Sequence, residues 1–252
     1  MSEAASPVRR HSSTNADQTP TNTSRGRVKR VVRPRLTWPL AGWLLLCAVI
    51  ILAVSVLVGF GLKQLSTAGA LPGDLAVERW LVDERTGTFD GMTKVGSSLA
   101  DTMTAIVVAT VAFFVLRVWL GRFHESCVLL VSLGGELLIF LAVAALVQRP
   151  RPPVERLDAA PPTSSFPSGH TAASVALFGF LAVILWRYTD HRLGAVLALA
   201  FAVIPLVVAV SRMYRGMHYP TDVVAGALVG GVWLFCVLRV LLPPPAEIRS
   251  DA

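Results

Sequence analysis

Charge is scarce in this chain. Asp, Glu, Lys and Arg make up 15% of its 252 residues, against about 25% in an ordinary globular protein. With 54% hydrophobic residues and a mean hydropathy of +0.60, a soluble domain of this size is excluded, and lipid becomes the solvent for most of the chain. Cysteine is scarce too. Cys47, Cys127 and Cys236 lie in or beside apolar runs without CxxC spacing, which argues against a disulfide framework and against a thiolate metal site. No cofactor and no metal are expected. No internal repeat is visible, and no small-residue cleavage pattern follows the first apolar run, which therefore reads as a retained helix.

What is present is a set of six long apolar runs, at about 38–62, 97–119, 127–147, 170–186, 193–211 and 221–242. A crossing needs about 20 residues, and backbone groups in hydrocarbon must satisfy one another within the segment, so each run reads as a helix. The expected fold is an all-α membrane protein, six transmembrane helices in a bundle over residues 37–243. Residues 1–36, rich in Ser, Thr, Asn, Pro and Arg, are expected to form a disordered basic cytoplasmic tail, and 244–252 a loose cytoplasmic tail.

Orientation follows from the basic residues. With the N-terminus inside, fourteen of the 23 lysines and arginines fall on the inner side. Five of the remaining nine, Arg149, Arg151, Arg156, Arg212 and Arg215, cluster near the motifs below. The positive-inside rule thus predicts both termini cytoplasmic in a multi-pass plasma-membrane protein. The net charge of +7 does not require nucleic acid, because eight basic residues lie in the tail before the first run; anionic lipid is the expected partner. Oligomeric state is left open. In the outer loop 63–95, Leu75, Val77, Trp80 and Leu81 alternate with acids at a spacing that predicts one short helix on the membrane surface, either a gate or a packed connector.

Two short stretches carry the chemistry: Pro167-Ser168-Gly169-His170, and Ser211-Arg212 running on to His218 and Asp222. The 41 residues between His170 and Arg212 can cross the bilayer and return, so both stretches belong on one face, the extracytoplasmic one. Cleaving a phosphate ester needs donors for the nonbridging oxygens, an in-line nucleophile and an acid for the leaving oxygen. Arg151 and Arg212 offer planar forks for phosphate. Ser168 and Gly169 stand where the fourth span begins, so a hydroxyl and free amides can face an anion. His218 reads as the nucleophile, with Asp222 expected to hold one of its ring nitrogens. His170 reads as the general acid, and later as the base that activates water against a phosphohistidine.

At these residues the chain resembles the type-2 phosphatidic acid phosphatase family, which is related in motif to glucose-6-phosphatase and the vanadium haloperoxidases. Pro167 to His170 match the second family motif. Ser211, Arg212, His218 and Asp222 match every fixed position of the third. The first motif, Lys, six residues, Arg-Pro, ends at Arg151-Pro152 but holds Ala144 where the family has a phosphate-binding lysine. Arg149, Arg156 or Arg215 could supply a substitute charge. The resemblance covers about 38–243 and implies metal-independent hydrolysis of a lipid phosphate or diphosphate. Polyprenyl diphosphate, phosphatidylglycerophosphate and phosphatidate are the implied substrates. Two alternatives share the same residues: a lipid phosphotransferase, and a non-catalytic lipid-phosphate-binding or transport protein.

Taken singly, each histidine or arginine reads as an interfacial anchor, and only the combination points to chemistry. Glu136, inside the third span, reads as a structural interior group. Asp101 is given no role. Gly226 and Gly230 read as a close helix contact within the bundle, and Pro205 as a kink in the fifth span.

Overall fold

A computed structural model describes residues 38–160, 162–189 and 191–242; the expectations for tails 1–36 and 244–252 concern residues outside these. Among the described residues there are eight helices and no strand: α1 (Trp38–Thr67), α2 (Pro72–Asp83), α3 (Gly87–Ser98), α4 (Thr102–Phe114), α5 (Phe123–Val147), α6 (Gly169–Tyr188), α7 (His191–Tyr214) and α8 (Pro220–Leu241). Six segments are long and apolar enough to cross a membrane: α1, α4 with the π-helical turn Val115–Trp119 that continues it, and α5 to α8. All-helical membrane architecture therefore stands, with each run closing its own backbone hydrogen bonds.

The outer loop differs from expectation. It forms two helices, α2 and α3, and the second span begins only at Thr102 because Ser97 and Ser98 end α3. No apolar periodicity announces α3, whose sequence is GTFDGMTKVGSS. It is started by Thr86, whose hydroxyl accepts from the Phe89 amide, an N-cap that satisfies one of the free first-turn donors. Burial of Gly96 and Ser97 holds it in place. A side chain at position 96 would collide with the Ser211 hydroxyl of α7.

Packing is tightest between α6 and its neighbours. A Cβ at Gly226 would strike the Ser168 carbonyl oxygen, and one at Gly230 the Ala172 carbonyl oxygen, so these glycines let the α8 backbone lie directly on α6, as small-residue spacing in lipid permits. Trp233, Leu234 and Val237 continue the buried face of α8. By contrast, no residue of α4 is buried. Ala105, Val108, Ala109, Ala112 and Phe113 pack against the core only half-buried.

One end of the bundle gathers the C-terminal ends of α1, α5 and α7 and the N-terminal ends of α6 and α8. Lys63 donates to the Val147 carbonyl at 2.9 Å and ties α1 to α5 there. Gln148 then adopts a left-handed conformation, φ 49°, turning the chain into the 149–168 segment that crosses this end of the bundle.

Candidate active site

His218 sits in the short connection between α7 and α8. Gly216, at φ 71°, makes the turn. A side chain there would meet both a strained backbone and the Glu155 carbonyl. The imidazole is 3% exposed, and its Nδ1 lies 2.7 Å from the Ser165 carbonyl oxygen. A carbonyl only accepts, so Nδ1 carries the proton and Nε2 keeps its lone pair. Nε2 is 3.4 Å from Nη1 of Arg151. Burial, then the charges of Arg212 and Arg151, hold the pKa of this imidazole well below 6.5, so it is neutral near pH 7.

Asp222 does not touch that ring, which corrects the expected direct hydrogen bond. Its carboxylate accepts from Arg149 Nη1 at 2.6 Å, from the Ser165 hydroxyl at 2.5 Å and from the Tyr219 amide at 3.1 Å. The physical reason is local. Asp222 lies in the first turn of α8 behind Pro220, where its side chain folds back to cap its own helix. It reaches His218 only through Ser165, whose hydroxyl it holds while the Ser165 carbonyl holds the ring.

Arg212 stands in the last turn of α7 and is 4% exposed. Its Nη1 donates to the Ser97 hydroxyl at 2.9 Å and pairs with Asp158 at 3.3 Å. Arg215 takes the rest of that carboxylate, with contacts of 2.6 and 2.7 Å, and this hydrogen-bonded pairing pulls the Asp158 carboxyl below its ordinary value. Arg151 donates to the Met217 carbonyl at 2.7 Å; burial lowers its pKa.

His170 is the second residue of α6. Its Nε2 lies 3.0 Å from Asp101 Oδ1, a partner that the sequence had left without a role. Ser168 departs from expectation. Its hydroxyl bonds Thr171 at 2.9 Å, its amide donates to the Asp222 carbonyl at 3.0 Å, and it is fully buried. The close α6–α8 contact at Gly226 explains this, since it draws Ser168 into the helix interface. Gly169, one position on, opens instead onto a cavity, and the first-turn amides of α6 have no partner within the helix.

That cavity, about 410 Å³, is lined by His170, His218, Arg151, Arg212 and Gly169 at one end. Five of the seven residues singled out by sequence thus share one space, while Ser168 and Asp222 stand behind it. Away from the polar end its wall is α4 and α5, including Ala105, Ile106, Leu137 and Phe140. A second cavity of about 540 Å³ is bordered by Ala144, Arg149, Thr163 and Ser164. Thr163 and Ser164 border both.

Of the substitute charges considered for the missing lysine, Arg215 is committed to Asp158 and Arg149 to a buried cluster. Arg149 pairs with Asp74 at 2.9 Å and Asp222 at 2.6 Å and lies 4.3 Å from the centre of the Tyr219 ring. Sequence reasoning had no signal for this cluster, nor for Ser165. Both depend on where α2 and the 149–168 segment settle in three dimensions.

Residues 125–243 match the PAP2 superfamily profile. These residues form a PAP2 superfamily segment. Phosphatidylglycerophosphatase B of Bacillus subtilis (strain 168) is 26% identical over 166 residues, covering 63% of this chain and 74% of that protein. Lipid phosphate phosphatase 2 of Arabidopsis thaliana is 43% identical over 88 residues, 32% of this chain; the match spans only 30% of that relative's length. Among solved structures, a transmembrane PAP2-type phosphatidylglycerolphosphate phosphatase from Bacillus subtilis superposes with a TM-score of 0.60 at 21% identity, over 80% of this chain and 94% of that one. At that identity the likeness establishes the fold. The PAP2 match includes all three motif regions, with Ala144 in place of the lysine.

Proposed function

We propose that this protein is a metal-independent phosphatase of lipid phosphates or lipid diphosphates, acting through a phosphohistidine at the extracytoplasmic end of its bundle. One observation carries the reading: His170 and His218 line the same cavity as Arg151 and Arg212, with His218 Nε2 unprotonated and accepting only a long, 3.4 Å contact from Arg151 Nη1.

Arg151, Arg212 and the Gly169 amide hold the nonbridging oxygens, joining charge-assisted forks to a helix N-terminus. His218 Nε2 attacks phosphorus, the P–O bond to the lipid breaks, and His170 gives its proton to the departing oxygen. The positive charge left on the phosphorylated ring is stabilised through Nδ1–H by the Ser165 carbonyl, itself steadied by Asp222. His170, now deprotonated, takes a proton from water as that water attacks the phosphohistidine. Phosphate leaves and both histidines return to their starting states. Asp222 and Ser168 serve as positioning residues in this scheme. The lysine and arginine distribution supports the extracytoplasmic assignment. The names of the relatives support a lipid substrate, for which phosphatidylglycerophosphate, phosphatidate and polyprenyl diphosphate are the candidates.

The test is phosphate release from these three lipids by the full chain in detergent–lipid micelles. His218→Ala is expected to abolish release while the variant still inserts in membranes, and EDTA is expected to leave the wild-type rate unchanged. A strict requirement for added divalent metal, or an active His218→Ala protein, overturns the proposal.

A further inference from the structure

The catalytic scheme uses only the polar end of the main cavity. Its apolar wall contains one group that scheme does not need. Glu136 lies in the middle of α5, lines the cavity, is 2% exposed, and has an Oε1 that is buried with no hydrogen-bond partner among the described residues. An unpartnered carboxyl among leucines and phenylalanines is costly, so an interior residue of this kind needs either a partner or a reason. Packing does not supply one: Gly135 beside it lies against the Trp233 ring, and that indole N–H is already given to the Ser132 carbonyl at 2.9 Å.

Its depth identifies what it could meet. The Phe140 ring touches Gly169 at the mouth of α6, and Glu136 is one turn deeper along α5, about 6 Å. A lipid whose phosphate sits between His170 and His218 sends its next groups down this wall. In a glycerolipid those groups are ester carbonyls, a handful of bonds from phosphorus. In a polyprenyl phosphate they are hydrocarbon. As a neutral acid Glu136 carries one O–H donor, and an ester carbonyl is an acceptor without a donor of its own. On the α4 side that wall is made by Ala105, Ile106 and Ala109, apolar side chains against which the lipid can lie.

We propose that Glu136 is a specificity-determining residue that donates a hydrogen bond to an ester carbonyl of a glycerolipid phosphate, so that this cavity favours ester-linked glycerolipids over isoprenoid phosphates. This rests on the phosphatase reading for its kinetic form, but the binding preference stands without turnover.

The experiment compares di-ester phosphatidate, its di-ether analogue and a polyprenyl phosphate. Wild-type protein is expected to have kcat/KM about tenfold higher for the ester than for the ether lipid, the worth of one good hydrogen bond. Glu136→Leu is expected to erase that ratio and leave the polyprenyl substrate within about threefold of wild type, with Glu136→Gln, which keeps a donor, retaining most of it. Equilibrium binding of the same three lipids in a His218→Ala background is expected to follow the same order. An ester-to-ether ratio near one in wild type overturns the inference and needs no variant to fold. Equal losses on all three lipids in Glu136→Leu also overturn it. If no lipid is hydrolysed by wild type, the phosphatase reading fails, and the binding order alone then decides the role of Glu136.

Discussion

At the scale of single residues, the site depends on what each histidine's second nitrogen touches. His218 is oriented by a backbone carbonyl and so is directional without a carboxylate beside it. Because burial and two arginines hold its pKa well below 6.5, it stays unprotonated under mild acid, and the acidic limb that the proposed mechanism assigns to this residue in a kcat/KM profile should fall well below pH 6.5. The same shift has a stability sign. Below pH 6.5 an unfolded chain binds the proton that the fold refuses, so this residue favours unfolding increasingly as pH drops. His170 does have a carboxylate, Asp101. If Asp101 positions the acid without binding substrate, Asp101→Asn should lower kcat about tenfold, the loss of one charge-assisted hydrogen bond, with KM nearly unchanged; steady-state kinetics on one lipid phosphate separates the two. Ala144 borders a cavity that shares Thr163 and Ser164 with the main one. A lysine there has room for its stem, and Ala144→Lys should raise kcat/KM several-fold by adding a cation beside the phosphoryl group. A fall in rate would mean that the site is built around alanine.

Among the helices, α2 behaves contrary to a simple surface helix. Val77 and Trp80 face outward, while Asp74 and Glu78, four residues apart, face the bundle and are buried. Asp74 pairs with Arg149 and accepts from the Thr221 hydroxyl at 2.5 Å, so α2 is clasped to the start of α8, on which Asp222 also lies. Glu78 has no such partner: both carboxylate oxygens are buried without a hydrogen bond among the described residues. Burial, with the nearby charge of Asp222, raises its pKa to about 8, Arg85 opposing. For an acid raised in this way the fold keeps a proton that the unfolded chain gives up above its ordinary value of 4.5. Stability is therefore lost as pH rises from about 4.5 and levels off above about 8. Glu78→Gln should flatten that decline. The difference in unfolding free energy between pH 5 and pH 9, measured by denaturation in detergent, should shrink by an amount on the order of a few kcal/mol. An unchanged pH slope would show that Glu78 does not keep its proton in the fold.

For the molecule as a whole, the contrast is between a tight core and one loose wall. The α6–α8 contact through Gly226 and Gly230 brings the chain segments bearing His170 and His218 together, whereas α4 covers the cavity without burying a residue. Enlarging the tight contact should therefore harm both stability and the site. Gly230→Leu is expected to cost about 1–3 kcal/mol by overpacking and to lower the melting temperature, with activity falling as α8 is pushed from α6. If melting is unchanged, the backbone approach is not what holds these helices.

The number and type of the spans, and the convergence of His170, Arg212 and His218 at one end, were legible in the amino-acid sequence. The reasons are strict: hydrocarbon forces each backbone segment to bond to itself, and two crossings must return a chain to the side it left. Five of the seven candidate site residues, Ser168 and Asp222 excepted, line a common cavity for that reason. Only the tertiary structure decided that Asp222 serves Arg149 and Ser165 instead of the imidazole, that Ser168 turns into a helix contact, that α3 forms at all, and that Glu136 faces a cavity. Those facts depend on which side of each helix meets its neighbour. In helices apolar nearly all round, hydropathy marks how deep a residue lies but not which way it faces.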